Sequence, residues 1–295
     1  MLRDIAWAKL NLTLEVLERR PDGFHELRSL VAFAGVGDTV ELAPQDGLDL
    51  RVEGPFRAAL GGTNLIIEAA QAAKARASGL TLGRFRLVKM LPVAAGIGGG
   101  SADAAAALRL IARANDGTLT DEEVSALAPE LGSDVAVCLK SRPAVITGRG
   151  EVVRAVVGFP SCGVVLVNPG VKLATAEVYG ALDAAPLSVS LEDLPPGDLP
   201  PPDFAGDFER LMAYANVRGN DLEQVAMRLA PEVRNVLAAL SGLEGARLVR
   251  LSGSGATCFA VFATPREAHR AATMLAQREP DWWIASSMLG NPVSA

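Results

Sequence analysis

Four glycines in five positions (Gly96, Gly98, Gly99 and Gly100, broken only by Ile97) lie within the segment Pro92-Val-Ala-Ala-Gly-Ile-Gly-Gly-Gly-Ser-Ala-Asp103. Glycine lets backbone N–H groups approach a ligand without interference from Cβ. A helix that follows adds unpaired N–H donors and the positive end of its dipole. That combination is a phosphate cradle. The bland alternative is a tight turn with Ser101 as helix N-cap and Asp103 in the first turn. A cap does not need four glycines, which favours phosphate. The spacing fits neither nucleotide fingerprint: G-x-G-x-x-G counted from Gly96 would need glycine at Ser101, and G-x-x-x-x-G-K-[ST] lacks its lysine.

Other polar residues are less decisive alone. Lys9 and Asn11 point to one side of an alternating segment whose other side is Ala8, Leu10, Leu12, Leu14 and Val16. A lysine on a strand is usually solvated, yet Trp7 shares its side, so local sequence leaves Lys9 undecided. Asp134 follows Gly132-Ser133 and precedes the apolar run 135–139. It reads as a turn or N-cap aspartate, or as a carboxylate at the mouth of buried structure that needs a cationic partner or a hydrogen-bonded substrate. His25 follows Pro21-Asp-Gly-Phe24; with His269 remote in sequence, neither a metal site nor a Ser-His pair is indicated. The loop Ser252-Gly-Ser-Gly-Ala-Thr257 reads equally as a phosphate-approaching turn and as a packing turn.

The elements that must position these groups follow from periodicity and punctuation. Strands are expected at 8–16, 25–34, 39–42 (after a turn at 35–38), 85–91, 163–167, 246–251 and 258–262. Helices are expected at 64–77, 101–115, 121–131, 221–229, 232–241 and 265–278. Six prolines in 186–202 mark a loop or linker, and a domain boundary is placed near Phe159.

With 295 residues, 49% of them hydrophobic, the chain can bury a large core in about two domains. Its formal charge of −6 argues against a general nucleic-acid or anionic-membrane binder. Cys138, Cys162 and Cys258 are too scattered for a disulfide framework or a metal pair and read as small buried residues. No signal peptide or membrane span is visible, so a cytoplasmic protein is expected.

Taken together, five motifs resemble the GHMP small-molecule kinases and stand in that family's order. They are Ala8-Lys-Leu-Asn-Leu12, Arg20-Pro-Asp-Gly-Phe-His-Glu-Leu27, the glycine segment, Leu131-Gly-Ser-Asp-Val135 and Ser252-Gly-Ser-Gly-Ala-Thr257. The triple glycine and the Asp22-Gly-Phe-His25 turn resemble the branch that uses ATP to phosphorylate the 2-hydroxyl of a CDP-linked sugar alcohol in the non-mevalonate isoprenoid pathway. Two departures stand out: Trp7 where proline is usual, and Phe24 where tyrosine is common, which removes one hydroxyl but keeps the ring.

The resemblance implies an α/β (α+β) two-domain fold, with an N-terminal α/β ATP-binding domain at 1–158, a C-terminal ferredoxin-like domain at 159–295, and a site in the cleft between them. It implies Lys9 and Asp134 as the catalytic pair. It assigns ATP binding to Pro92, Val93, Ala94, Ala95, Gly96, Ile97, Gly98, Gly99, Gly100, Ser101 and Ala102. Asn11, Phe24, His25 and Tyr179 become substrate contacts, the two rings of Phe24 and Tyr179 enclosing the cytosine. ATP and Mg²⁺ are the expected cofactors, with the metal ligands unassigned. The rivals are a GHMP kinase for homoserine, mevalonate or a sugar, which would not account for the Asp22-Gly-Phe-His25 turn, and a non-catalytic nucleotide-sensing relative, which would have no use for both Lys9 and Asp134.

Overall fold

The alternation that opens the chain does form a strand, β1 (Leu2–Asn11), but the strand stops at Asn11 and not at Val16. The computed structural model from which the fold is described covers residues 1–116, 118–183 and 200–292. The chain continues through β2 (Glu15–Arg19), β3 (His25–Ala43), β4 (Leu48–Glu53), α1 (Leu65–Arg76), β5 (Gly83–Val88), α2 (Gly99–Ala114), α3 (Asp121–Leu131) and α4 (Val135–Lys140). Then come β6 (Ala144–Gly148), β7 (Val152–Ala155), β8 (Cys162–Asn168), α5 (Thr175–Gly180), α6 (Phe208–Asn216), α7 (Glu223–Leu229) and α8 (Pro231–Ser241). The last elements are β9 (Leu248–Leu251), β10 (Cys258–Phe262), α9 (Pro265–Arg278) and β11 (Trp283–Gly290). Of the proline-rich stretch 186–202, residues 186–199 lie outside the described residues.

Packing gathers these elements into two units built from interleaved segments. The first holds Met1–Ala8, Val36–Val93 and Gly98–Lys140; the second holds Lys9–Gly35, Ala94–Ile97 and Ser141–Ala295.

In the first unit, β5 lies between β4, parallel to it, and the 39–43 stretch of β3, antiparallel to it. The turn expected at 35–38 is absent, because β3 runs straight through it. Gly37 is there to admit a neighbour rather than to bend the chain: a Cβ at Gly37 would sit 2.5 Å from the Ala6 carbonyl oxygen. Asn64 caps α1 by accepting from the Ile66 N–H, and Lys74 and Arg76 complement the dipole in its last turn. α3 starts on a capping box of Thr120 and Glu123. α2 packs against α1, α3 and α4. Its alanines 102 and 104–107, with Leu108, Leu110 and Ile111, are all buried, as a helix apolar around most of its circumference requires.

In the second unit, β8 is buried along its whole length between β10 and β11, both antiparallel to it, and β9 pairs on the far side of β10. A strand covered on both faces explains the unbroken apolar run Val164-Val-Leu-Val167. The order β11-β8-β10-β9, with helices after β8 and β10, is the ferredoxin-like β-α-β-β-α-β arrangement. α9 packs on β8 and β11, and α8 on β9 and β10. The 27–31 part of β3 pairs with β6, and Ala34 pairs with Leu289 of β11. Cys138, Cys162 and Cys258 are all free and buried.

Candidate functional site

The glycine segment leaves β5 and delivers the chain to α2. The helix begins at Gly99, two residues earlier than expected, and its N-cap is Gly98 in the left-handed region (φ 64°) rather than Ser101. Ser101 could not cap because it already lies inside the first turn. Only glycine adopts that φ without strain, and the helical start places the N–H groups of residues 99–101 ahead of any intrahelical acceptor. Those donors, with the dipole of a 16-residue helix behind them, suit an anion.

Asp134 lies in the same unit. Its carbonyl oxygen accepts the Cys138 N–H at 3.0 Å, so it stands at the entry to α4. The turn before it passes close to α2: a Cβ on Gly132 would lie 3.8 Å from Ser101 Oγ. The Asp134 motif and the end of the glycine segment are therefore neighbours within the first unit.

Lys9, Asn11 and residues 94–97 of the glycine segment belong to the second unit. The face expected to be either solvated or buried is buried: Lys9 is 3% exposed, and Asn11 and Thr13 are equally covered. Lys9 Nζ donates to Asn11 Oδ1 at 2.8 Å, and Asn11 Nδ2 donates to Ser29 Oγ at 2.8 Å. The backbone N–H of Lys9 donates to Ile97 O at 2.9 Å, which joins β1 to the glycine segment.

The second small-residue loop packs on the first. Ser252 Oγ donates to Gly96 O at 2.9 Å, and the Thr257 N–H donates to Ala95 O at 3.1 Å. Gly96 must be glycine here, since a Cβ would lie 2.3 Å from Ser252 O. Asn11 joins the same knot, its N–H donating to Ser252 Oγ at 3.3 Å. Asn168 Nδ2 donates to Thr257 Oγ1 at 3.0 Å, so the Asn168-Pro-Gly170 strand end is tied in as well.

The expected base contacts also gather in the second unit. His25 and Tyr179 face each other with ring centroids 5.1 Å apart and planes tilted by 31°. Phe24 is 50% exposed, and the Arg149 guanidinium lies over its ring at 4.8 Å. Burial, with Arg19 adding, pushes the His25 ring below its ordinary range and keeps it neutral near pH 7, with one donor and one acceptor nitrogen.

The sequence reading missed a buried ionic cluster of Asp38, Lys89 and Asp103. Lys89 was hidden because a lysine just beyond a strand is ordinarily a surface residue; only its place between apolar Leu87 and Leu91 hinted otherwise.

Comparison with known proteins defines the class first. Residues 64–142 match the GHMP kinases N terminal domain and residues 202–281 match the GHMP kinases C terminal description. This is a small-molecule kinase with the two-domain GHMP fold. A 4-diphosphocytidyl-2-C-methyl-D-erythritol kinase from Methylobacterium radiotolerans is 49% identical over 293 residues, covering 98% of this chain and 99% of its own. Its counterpart from Parvibaculum lavamentivorans is 44% identical over 97% of this chain and 98% of its own. A crystal structure of 4-(cytidine 5'-diphospho)-2C-methyl-D-erythritol kinase superposes with a TM-score of 0.76 at 33% identity, covering 98% of this chain and 99% of that one. The chain belongs to the 4-diphosphocytidyl-2-C-methyl-D-erythritol kinase family.

Proposed function

We propose that this kinase transfers the γ-phosphoryl group of ATP to the 2-hydroxyl of 4-diphosphocytidyl-2-C-methyl-D-erythritol, a step of the non-mevalonate isoprenoid pathway. The observation that carries the reading is the 49% identity, along practically the whole chain, to a kinase of that name. The Asp22-Gly-Phe-His25 turn supports the same substrate over homoserine, mevalonate or a sugar. We keep the domain division at 1–158 and 159–295, which falls between the two matched segments, and place the enzyme in the cytoplasm.

Residues 92–102 bind ATP, the N–H groups at the start of α2 receiving its phosphates. Asp134 orients the 2-hydroxyl and takes its proton. Lys9 offsets charge on the moving phosphoryl group, whose loose transition state rewards positioning and electrostatics over covalent help. Asn11 contacts the substrate and shares the Lys9 ammonium. Phe24 and Tyr179 enclose the cytosine, and the neutral His25 reads its edge. Mg²⁺ arriving with ATP would supply charge neutralisation. An ATP-coupled assay tests this with the CDP-linked alcohol beside free methylerythritol phosphate, homoserine and mevalonate. Turnover confined to the first is expected; equal or better turnover of any other would overturn the assignment.

A further inference from the structure

At the root of the glycine loop lies a charge cluster that the reaction described above does not use. Lys89 follows directly on β5 and is 1% exposed. Its Nζ donates at 2.6 Å to Asp38 Oδ2 on β3 and at 2.6 Å to Asp103 Oδ2 on α2, and both carboxylates are as deeply buried as the lysine. The other Asp38 oxygen, Oδ1, accepts the backbone N–H groups of Met90 at 2.5 Å and Leu91 at 2.8 Å. The ammonium sits under the first residue of the helix, since a Cβ on Gly99 would lie 3.2 Å from Nζ.

We propose that Lys89, through Asp38 and Asp103, is the positioning residue of the glycine loop: it fixes the stem that enters the loop and the helix that leaves it. The inference rests on reading that loop as the ATP site. A phosphate cradle works when its N–H groups are held to within roughly 0.5 Å before the ligand arrives. Glycine and alanine cannot supply that hold, because they have almost no side chain to pack. Each flexible residue ordered only on binding would weaken that binding. One buried ammonium shared by two carboxylates solves this from outside the loop. Asp38 grips Met90 and Leu91 before the loop, and Asp103 grips α2 after it.

The details of Asp103 point the same way. Its Oδ1 is buried with no hydrogen-bond partner, and its Oδ2 accepts the Lys89 ammonium beside the Asp38 carboxyl. A carboxylate buried for packing alone would be better replaced by an apolar residue of similar size. Asp103→Asn is thus a near-isosteric probe: it retains an acceptor for Lys89 but weakens the charge-assisted bond.

At pH 8, where the Asp103 carboxyl is ionised, the test measures ATP affinity by calorimetry, steady-state constants for both substrates, and backbone hydrogen exchange of peptides carrying residues 90–101, with α9 as reference. For Asp103→Asn we expect Kd and KM for ATP to rise about ten-fold, the loss of one strong positioning bond, with kcat at saturating ATP within about two-fold. KM for the alcohol should hold. Exchange should quicken at 90–101 and not in α9. Lys89→Met should show the same pattern more strongly. Should it fail to fold, Asp103→Asn alone decides. A folded Asp103→Asn protein with wild-type ATP affinity and wild-type exchange at 90–101, changed only in melting temperature, would make the cluster a core feature and end the proposal. If the wild-type protein bound no ATP, the nucleotide reading would fall, and the exchange data would still settle whether the cluster anchors the loop.

Discussion

Asp134 and the aromatic pair carry the sharpest single-residue consequences. Asp134→Asn leaves in place the backbone carbonyl that accepts the Cys138 N–H at the entry to α4. It removes the carboxylate that would orient and deprotonate the hydroxyl. We expect kcat below a tenth of wild type, a barrier increase above about 1.4 kcal/mol, with ATP affinity within a few-fold. Retention of more than a tenth of wild-type turnover would take Asp134 out of the chemistry. For the base, Phe24→Ala should raise KM for the CDP-linked substrate about 5- to 150-fold, from roughly 1–3 kcal/mol of stacking, and leave the melting temperature nearly unchanged, since Phe24 is half exposed. Tyr179 packs partly on the second unit's core, so Tyr179→Ala should lose stability as well as affinity. A stable Tyr179→Ala enzyme with unchanged KM would rule out the sandwich. Residue identity was legible here and environment was not. Lys9 was ambiguous because alternation defines two faces and says nothing about what covers the second. The face is buried by packing that comes from residues as distant as Ser252.

At the scale of elements, the glycine loop and α2 form one device, and Gly98 is where it is most easily broken. A valine at 98 must either adopt φ near 64° with a branched Cβ or unwind the helix start. We expect Gly98→Val to raise KM for ATP by more than ten-fold, a cost of at least about 1.4 kcal/mol, while circular dichroism shows the fold retained. A folded variant with normal ATP binding would mean the phosphates sit elsewhere. Elements with clear punctuation were legible: α3, β10 and α9 fall at their expected bounds, each bracketed by a cap, a glycine or a proline. Others were not. β4, β6, β7, α5, α6 and β11 fall outside the expected elements, and the strands among them are held by the neighbours they pair with. The break expected at 35–38 shows the limit of reading glycine as a turn, since Gly37 is there to admit a neighbouring strand.

For the molecule as a whole, the buried cluster sets a pH dependence of stability opposite to that of most carboxylates. Burial, reinforced by Asp38 and opposed by Lys89, pushes Asp103 up to about 7 from an ordinary 3.8. Between those values the folded protein keeps a proton that the unfolded chain releases. The stabilisation is complete below about pH 4 and is lost as pH rises through about 7. Denaturation midpoints of wild type, measured against Asp103→Asn from pH 4.5 to 8, should therefore fall relative to the variant, which lacks this proton. A constant difference across that window would show that Asp103 titrates normally.

The interleaving of the two units bears on how the chain is made. Synthesis runs from the N-terminus, so the last residue of the first unit, Lys140, is joined to the chain before half of the 295 residues are made. Helix α2 can then form while the protein is still being built. The second unit has no such option. Residues 27–31 wait for β6 to arrive more than a hundred positions later, and Ala34 waits for Leu289, among the last residues to emerge. The second-unit part of β3 is thus completed by β11. A ribosome stalled before β11 would hold a second-unit sheet with β8 open at its edge, the form in which this chain is most exposed to aggregation and proteolysis.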